Sequence, residues 1–232
     1  TRPEIGAGLA GCEAAWQAAE TGRDVVLIEM RPARMTPAHA TGFCGELVCS
    51  NSFRSDDPAT AVGSLKAEMR RLGSLVLDVA AVTRTPAGGA LAVDRRRFAE
   101  RLTALVDAHP RITLRRGEVT TWPEGDVILA SGPLTSPDLV TAIEAVVDKA
   151  SLNFFDAIAP IIDAESIAHD RLFAASRYAA DDDDYLNIPL DQPAYDRLVA
   201  DLVAAPVRTH LAEDRRFFEG CLPIEEMARR GR

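Results

Sequence analysis

The chain has 232 residues, 47% of them hydrophobic, enough to bury a sizeable core in one large domain or two small ones. Its 26 basic and 35 acidic side chains leave a net charge of −9, which argues against non-specific attraction to nucleic acid unless basic residues cluster locally. No run approaches the roughly 18 to 20 apolar residues of a membrane span and the opening lacks a signal-peptide pattern, so a soluble, cytoplasmic protein without membrane contact is expected.

The opening reads as a short strand, a glycine-rich turn, an Ala-rich helix from about Leu9 to Glu20, and a β-branched strand, Val25-Val26-Leu27-Ile28, that ends in Glu29. Thr21-Gly22 stops the helix. A Pro-, Thr-, His- and Gly-rich loop follows from Arg31 to Gly42, and Leu65, Met69, Leu72 and Val76 then recur at helical spacing through Ser64 to Leu77. Asp94 is placed to cap a helix carrying Phe98, Leu102 and Val106 on one face. Strands follow around Ile112 to Leu114 and at Val127-Ile128-Leu129. Strands alternating with helices predict an α/β fold with a mainly parallel sheet. From about Ser136 the βα rhythm fades. A helix through Leu139 to Val147 leads to Phe154-Phe155, an Asp run at Asp181 to Asp184, and a last helix from Glu225 to Arg230. This suggests a domain over 1–135 followed by a smaller mixed α/β insertion domain over 136–232, with the closing part of the sheet absent.

Gly6-Ala7-Gly8-Leu9-Ala10-Gly11 matches G-x-G-x-x-G, in which the first glycine permits a tight turn, the second lets backbone approach a pyrophosphate and the third packs helix on strand. The helix start supplies free N–H groups and a favourable dipole. Glu29 lies 18 residues past Gly11, close to the roughly 20-residue offset of the acid that holds the ribose hydroxyls. The strand before Gly6 is short and contains Pro3, which cannot donate a ladder hydrogen bond, so it reads as cut away or degenerate.

The cysteines, Cys12, Cys44, Cys49 and Cys221, are too few and too unevenly spaced for a disulfide framework, and none forms a CxxC zinc pair; no metal site is expected. Cys49, about twenty residues past Glu29 and followed by Ser50-Asn51-Ser52, can face the reactive end of a bound dinucleotide or be a small packed hydrophobe. Cys221 sits in a Gly-Cys turn leading to a helix, where dipoles lower a thiol pKa, with packing again the alternative. Cys12 lies inside the Ala-rich helix and reads as packing. Cys44 and Cys49 form a C-x4-C pair, which leaves a flavin disulfide reductase open as a rival reading, and an inactive dinucleotide-binding remnant as a third.

The stretches Gly6 to Gly11, Glu29-Met30-Arg31-Pro32, Leu47-Val48-Cys49-Ser50-Asn51-Ser52, Pro86 to Arg95 and Phe218-Glu219-Gly220-Cys221-Leu222-Pro223-Ile224-Glu225 resemble the TrmFO family, folate- and FAD-dependent tRNA (uracil-5-)-methyltransferases related to the larger GidA flavoproteins. The resemblance covers essentially the whole chain, as about half of a longer protein. It implies a Rossmann-like FAD-binding domain and transfer of a one-carbon unit from 5,10-methylenetetrahydrofolate, through FAD, to C5 of the T-loop uridine of tRNA, with NAD(P)H as reductant. It assigns cofactor contacts to Gly6, Ala7, Gly8, Leu9, Ala10, Gly11 and Glu29. Cys221 would attack uracil, and Cys49 would be the second functional thiol, near the flavin. The family pattern has no thiol at Cys44. Arg95-Arg96-Arg97, Arg115-Arg116, Arg215-Arg216 and Arg229-Arg230 are the candidate phosphate contacts.

Overall fold

A computed structural model describes residues 2–147, 162–176, 183–206 and 224–231. The chain divides into two compact units, Thr1–Phe154 and Phe155–Arg232. In chain order the first unit carries β1 (Arg2–Ile5), α1 (Leu9–Glu20), β2 (Val25–Glu29), β3 (Ser52–Ser55), α2 (Ala61–Arg71), α3 (Leu75–Val82), β4 (Arg84–Thr85), β5 (Ala90–Val93), α4 (Arg95–Ala108), β6 (Ile112–Arg116), β7 (Ile128–Leu129) and α5 (Pro137–Glu144).

The main sheet has the order β6-β2-β1-β7 with every pair parallel, the doubly wound arrangement expected of an α/β fold. Small residues, Gly11, Cys12, Ala15 and Ala19, form the buried stripe of α1 and let it lie close on the sheet. In α4, Asp94 accepts the Arg97 amide at 3.0 Å, and Phe98, Leu102 and Val106 are fully buried one turn apart. Removing each such side chain from water stabilises the fold by roughly 1.5–3 kcal/mol. These residues join Leu27, Val25 and Val79 in one core, whereas Ile5 on the opposite face packs with Leu139 and Ile143 of α5. Helices therefore cover both faces of the sheet, and α5 belongs to the first unit although it lies beyond residue 135.

β1 forms in spite of Pro3. The Arg2 and Gly6 amides run to Asp24 and Ile28 on the β2 side, so the missing Pro3 donor falls on the other side, where β7 pairing starts only at Glu4. The helical spacing through Ser64 to Leu77 resolves into two helices instead of one. Gly73 turns with φ 74°, and Ser74 caps α3 by accepting the Leu77 amide. Glu13 on α1 fixes the break, accepting from the Ser74 hydroxyl and the Val76 amide, each at 2.9 Å. Between β2 and β6 in sequence, β3, β5 and β4 pair antiparallel in a small second sheet that the sequence pattern does not reveal.

Within the described residues of the second unit, β8 (Phe173–Ala174) and β9 (Leu186–Asn187) pair antiparallel, and α6 (Gln192–Ala204) and α7 (Ile224–Arg230) are the α-helices. Phe154, Phe155, Asp181, Asp182, Arg215, Arg216 and Cys221 lie outside the described residues.

Candidate functional site

The strand order reverses beside β1, and a small crevice opens there at the carboxyl ends of the strands. Gly6 follows β1, Glu29 ends β2 and Met30 follows it, Val119 follows β6, and Ser131 and Leu134 follow β7 in its lining. A topological switch point is where open α/β sheets take their ligands.

The three glycines of the turn do different work. Gly6 has φ 96°, and a Cβ there would stand 2.6 Å from the Ala130 carbonyl oxygen. At Gly11 a Cβ would lie 1.8 Å from the Gly6 carbonyl oxygen, so only hydrogen lets α1 seat on the turn. Both glycines are demanded by the protein itself. Gly8 is not: a Cβ there meets nothing within 4 Å, and its φ of −73° suits any residue. Gly8 is also the N-cap of α1, which has no side-chain cap and no acidic residue in its first turn. Leu9, Ala10 and Gly11 thus begin a helix whose first amides and positive dipole end are available to an anion.

Glu29 is buried beside this turn. Its Oε2 accepts the Ala7 amide at 2.9 Å, and its Oε1 accepts the Arg31 amide at 3.0 Å and Arg31 Nε at 2.8 Å. A carboxylate offers about four acceptor sites, so what remains lies mainly on Oε2, the oxygen beside the turn. Burial pushes the carboxyl up, but the Arg31 and Ala7 hydrogen bonds outweigh it and hold the acid below its usual range. Arg31 also reaches Glu46 at 3.2 Å, making a Glu29–Arg31–Glu46 triad. The Arg31 guanidinium is 3% exposed, so Coulomb attraction in it is screened far less than at the surface.

Arg31→Met would leave two carboxylates facing each other without a cation. We expect it to cost about 3–5 kcal/mol in a chemical denaturation curve at neutral pH. The sign with pH follows from the depressed Glu29 pKa. The stabilisation is present above the ordinary carboxyl value and is lost as pH falls through the folded one, so the parent and the variant converge in acid.

At the edge of the crevice, Arg34 bridges Asp138 at 3.0 Å and also Glu118, linking the segments after β2 and β6 to the start of α5. These groups are partly exposed, so the clasp adds little energy. Cys49 is exposed, and its carbonyl accepts Arg95 Nη2 at 3.4 Å, which sets the thiol segment against the basic first turn of α4. Cys44 is buried and faces Cys12, not Cys49. Of the basic pairs, Arg96 bonds Glu100, Arg116 bonds the Arg31 carbonyl, and Arg229 and Arg230 pair with Glu226. Among the described residues no group of three or more His, Cys, Asp or Glu side chains is placed to hold a metal ion. Arg31, Glu46 and the Glu118-Val119 segment escape a sequence reading. Only the Glu29-Met30-Arg31-Pro32 stretch carries a signal for any of them.

The profile of the family named Glucose inhibited division protein A matches residues 5–232. The chain belongs to this family. Within it, the chain is 54% identical over 229 residues to the methylenetetrahydrofolate–tRNA-(uracil-5-)-methyltransferase TrmFO of Moorella thermoacetica, covering 98% of this chain and 52% of that protein. It is 52% identical over 231 residues to the TrmFO of Synechococcus sp. (strain JA-2-3B'a(2-13)), covering 98% and 50%. The resemblance read from the motifs is thereby borne out, and the chain spans about half the length of the curated relatives it matches. Among solved structures, GidA of Aquifex aeolicus is similar with a TM-score of 0.43 and 17% identity, over 56% of this chain and 24% of that one.

Proposed function

We propose that this GidA-family chain is the dinucleotide-binding portion of a cytoplasmic, FAD-dependent tRNA methyltransferase. It would place a carbon from 5,10-methylenetetrahydrofolate on C5 of the T-loop uridine, with NAD(P)H as reductant. The observation that carries the cofactor reading is Gly8, a glycine no neighbouring protein atom requires, at the mouth of a helix start beside a buried acid. The names of the TrmFO relatives support the reaction.

In this reading the Gly6-to-Gly11 turn and the first amides of α1 hold the pyrophosphate, while Glu29 accepts from the ribose. Bound FAD supplies reversible electron transfer for handling the one-carbon unit. The chain supplies thiols. C5 of uracil is a poor nucleophile until a thiolate adds at C6 and turns the ring into an enolate, the role given to Cys221. Cys49, which is exposed and whose carbonyl accepts from Arg95, would serve as the second thiol and take part in removing the C5 proton. The FAD-binding part, expected from the sequence to be residues 1–135, then extends through α5, and the residues that follow contribute to the substrate side. Among the described residues no helix is long and apolar enough to cross a membrane.

The test is flavin retention by the purified chain together with methyl transfer to unmodified tRNA by an enzyme containing it. Cys221→Ala is expected to keep the flavin and lose methyl transfer by several orders of magnitude, as loss of a nucleophile does. A colourless parent chain would overturn the cofactor reading, and a fully active Cys221→Ala enzyme would overturn the thiol assignment. Binding to tRNA should weaken steeply as salt rises, because Arg95 and its neighbours would contact phosphates.

A further inference from the structure

Two thiols meet beneath the glycine turn. Cys12, in the first turns of α1, and Cys44, on the loop after β2, are both 0% exposed and share one core cluster. The Ala7 carbonyl ties them together, accepting the Gly45 amide at 2.8 Å and the Cys12 thiol at 3.4 Å. The Cys44 backbone is pinned by its amide donating to Thr103 Oγ1 at 2.8 Å. Gly45 is fixed at φ 61° against Leu102.

From this geometry we infer that Cys12 and Cys44 are a redox pair that closes to a disulfide with a small peroxide as oxidant, stapling α1 to the loop after β2.

The chemistry favours Cys44 as the attacking sulfur. Cys12 lies beside it and Arg116 Nη2 stands 3.8 Å from its Sγ, so together they hold the Cys44 thiol below its usual range against the effect of burial. With a single S–H to give, Cys12 donates either to Ala7 or to a Cys44 thiolate. A cation near a thiol is the setting in which cysteines react, and the loop residues Thr41, Gly42 and Phe43 just ahead are only partly buried, giving a small oxidant a short path. The Cys44 thiolate attacks one peroxide oxygen, the O–O bond breaks, and the departing hydroxide takes a proton to leave water and a sulfenic acid. Cys12 sulfur then attacks Cys44 sulfur, its proton leaves with the expelled hydroxide as a second water, and the S–S bond forms. Two thiols lose two electrons and peroxide gains them. Loss of the Cys12 donor does not orphan the Ala7 carbonyl, because Gly45 still bonds it.

The experiment is peptide mapping of the folded chain after brief treatment with hydrogen peroxide, with free thiols alkylated under denaturing conditions. The expected product is a linked peptide pair holding Cys12 and Cys44, lighter than its parts by two hydrogens and separated again by dithiothreitol. In Cys12→Ser, Cys44 should instead be captured as a sulfenic acid by dimedone. Alkylation of both Cys12 and Cys44 in full after peroxide, or a link from Cys44 to Cys49, overturns the pairing. An unlabelled Cys44 in folded Cys12→Ser overturns the order of attack. The mapping of the parent chain decides the pairing even where the variant does not fold.

Discussion

Gly8→Asp is expected to leave the fold as stable as the parent or more so, while FAD affinity falls by at least about 100-fold, equivalent to about 3 kcal/mol. Two roles of one position pull in opposite directions. For the protein, Asp is the better residue. The position is the N-cap of α1 with extended backbone, φ −73° and ψ −169°, nothing stands within 4 Å of a new Cβ, and the helix has no side-chain cap. An Asp carboxylate can accept from the free first-turn amides and complement the dipole, worth from a few tenths to about 1 kcal/mol. For a bound pyrophosphate the same carboxylate is a steric block and a like charge, which costs several kcal/mol at a recognition surface. The measurement is thermal denaturation of the unliganded chain beside fluorescence titration with FAD. A variant that binds FAD as the parent does would remove Gly8 from the ligand site. Gly11→Ala is the control with the reverse signature. It should lose stability first, because its methyl carbon would stand 1.8 Å from the Gly6 carbonyl oxygen.

That contrast also marks what the sequence could convey. The G-x-G-x-x-G pattern identifies a turn between strand and helix but treats its glycines alike; only the folded structure separates the two that packing requires from the one that it does not. The position of Glu29 was legible from spacing, whereas its dependence on Arg31 and Glu46 was not, since an ion triad across a loop has no periodicity. α1, α4 and β2 followed directly from apolar period and capping residues. The break between α2 and α3 was missed because an apolar i, i+3, i+4 series runs straight across Gly73 and Ser74, and the decisive contact is Glu13 on another helix. Cys12 and Cys44 stand 32 residues apart, and their meeting is a product of the βαβ crossover. Cys221 falls outside the described residues, so its role still rests on the motif around it.

Glu4 is the clearest conflict between local chemistry and fold, and replacing it should give the largest gain in stability. It sits in the middle of the central strand, opposite Leu27 on one side and Ile128 on the other, with 0% exposure. Neither of its carboxylate oxygens has a hydrogen-bond partner. Burial pushes its pKa from 4.5 up to about 7, against the weaker pull of Arg2. Below pH 4.5 the acid is protonated in both folded and unfolded chains and its ionisation costs nothing. Between pH 4.5 and about 7 the unfolded chain ionises while the folded one still holds the proton, so stability is lost as pH rises. Above pH 7 the loss is complete, on the order of a few kcal/mol for a shift of that size. Glu4→Val restores a β-branched side chain suited to a fully covered strand and removes the titration. Its melting temperature should exceed the parent's by roughly 5 °C at pH 8. The pH-dependent part of that gap should close in acid, leaving only the packing gain of valine. A gap that stays constant from pH 4 to pH 8 would show that the Glu4 carboxylate finds hydrogen-bond donors or water in the folded chain, and that the central strand carries its carboxyl without penalty.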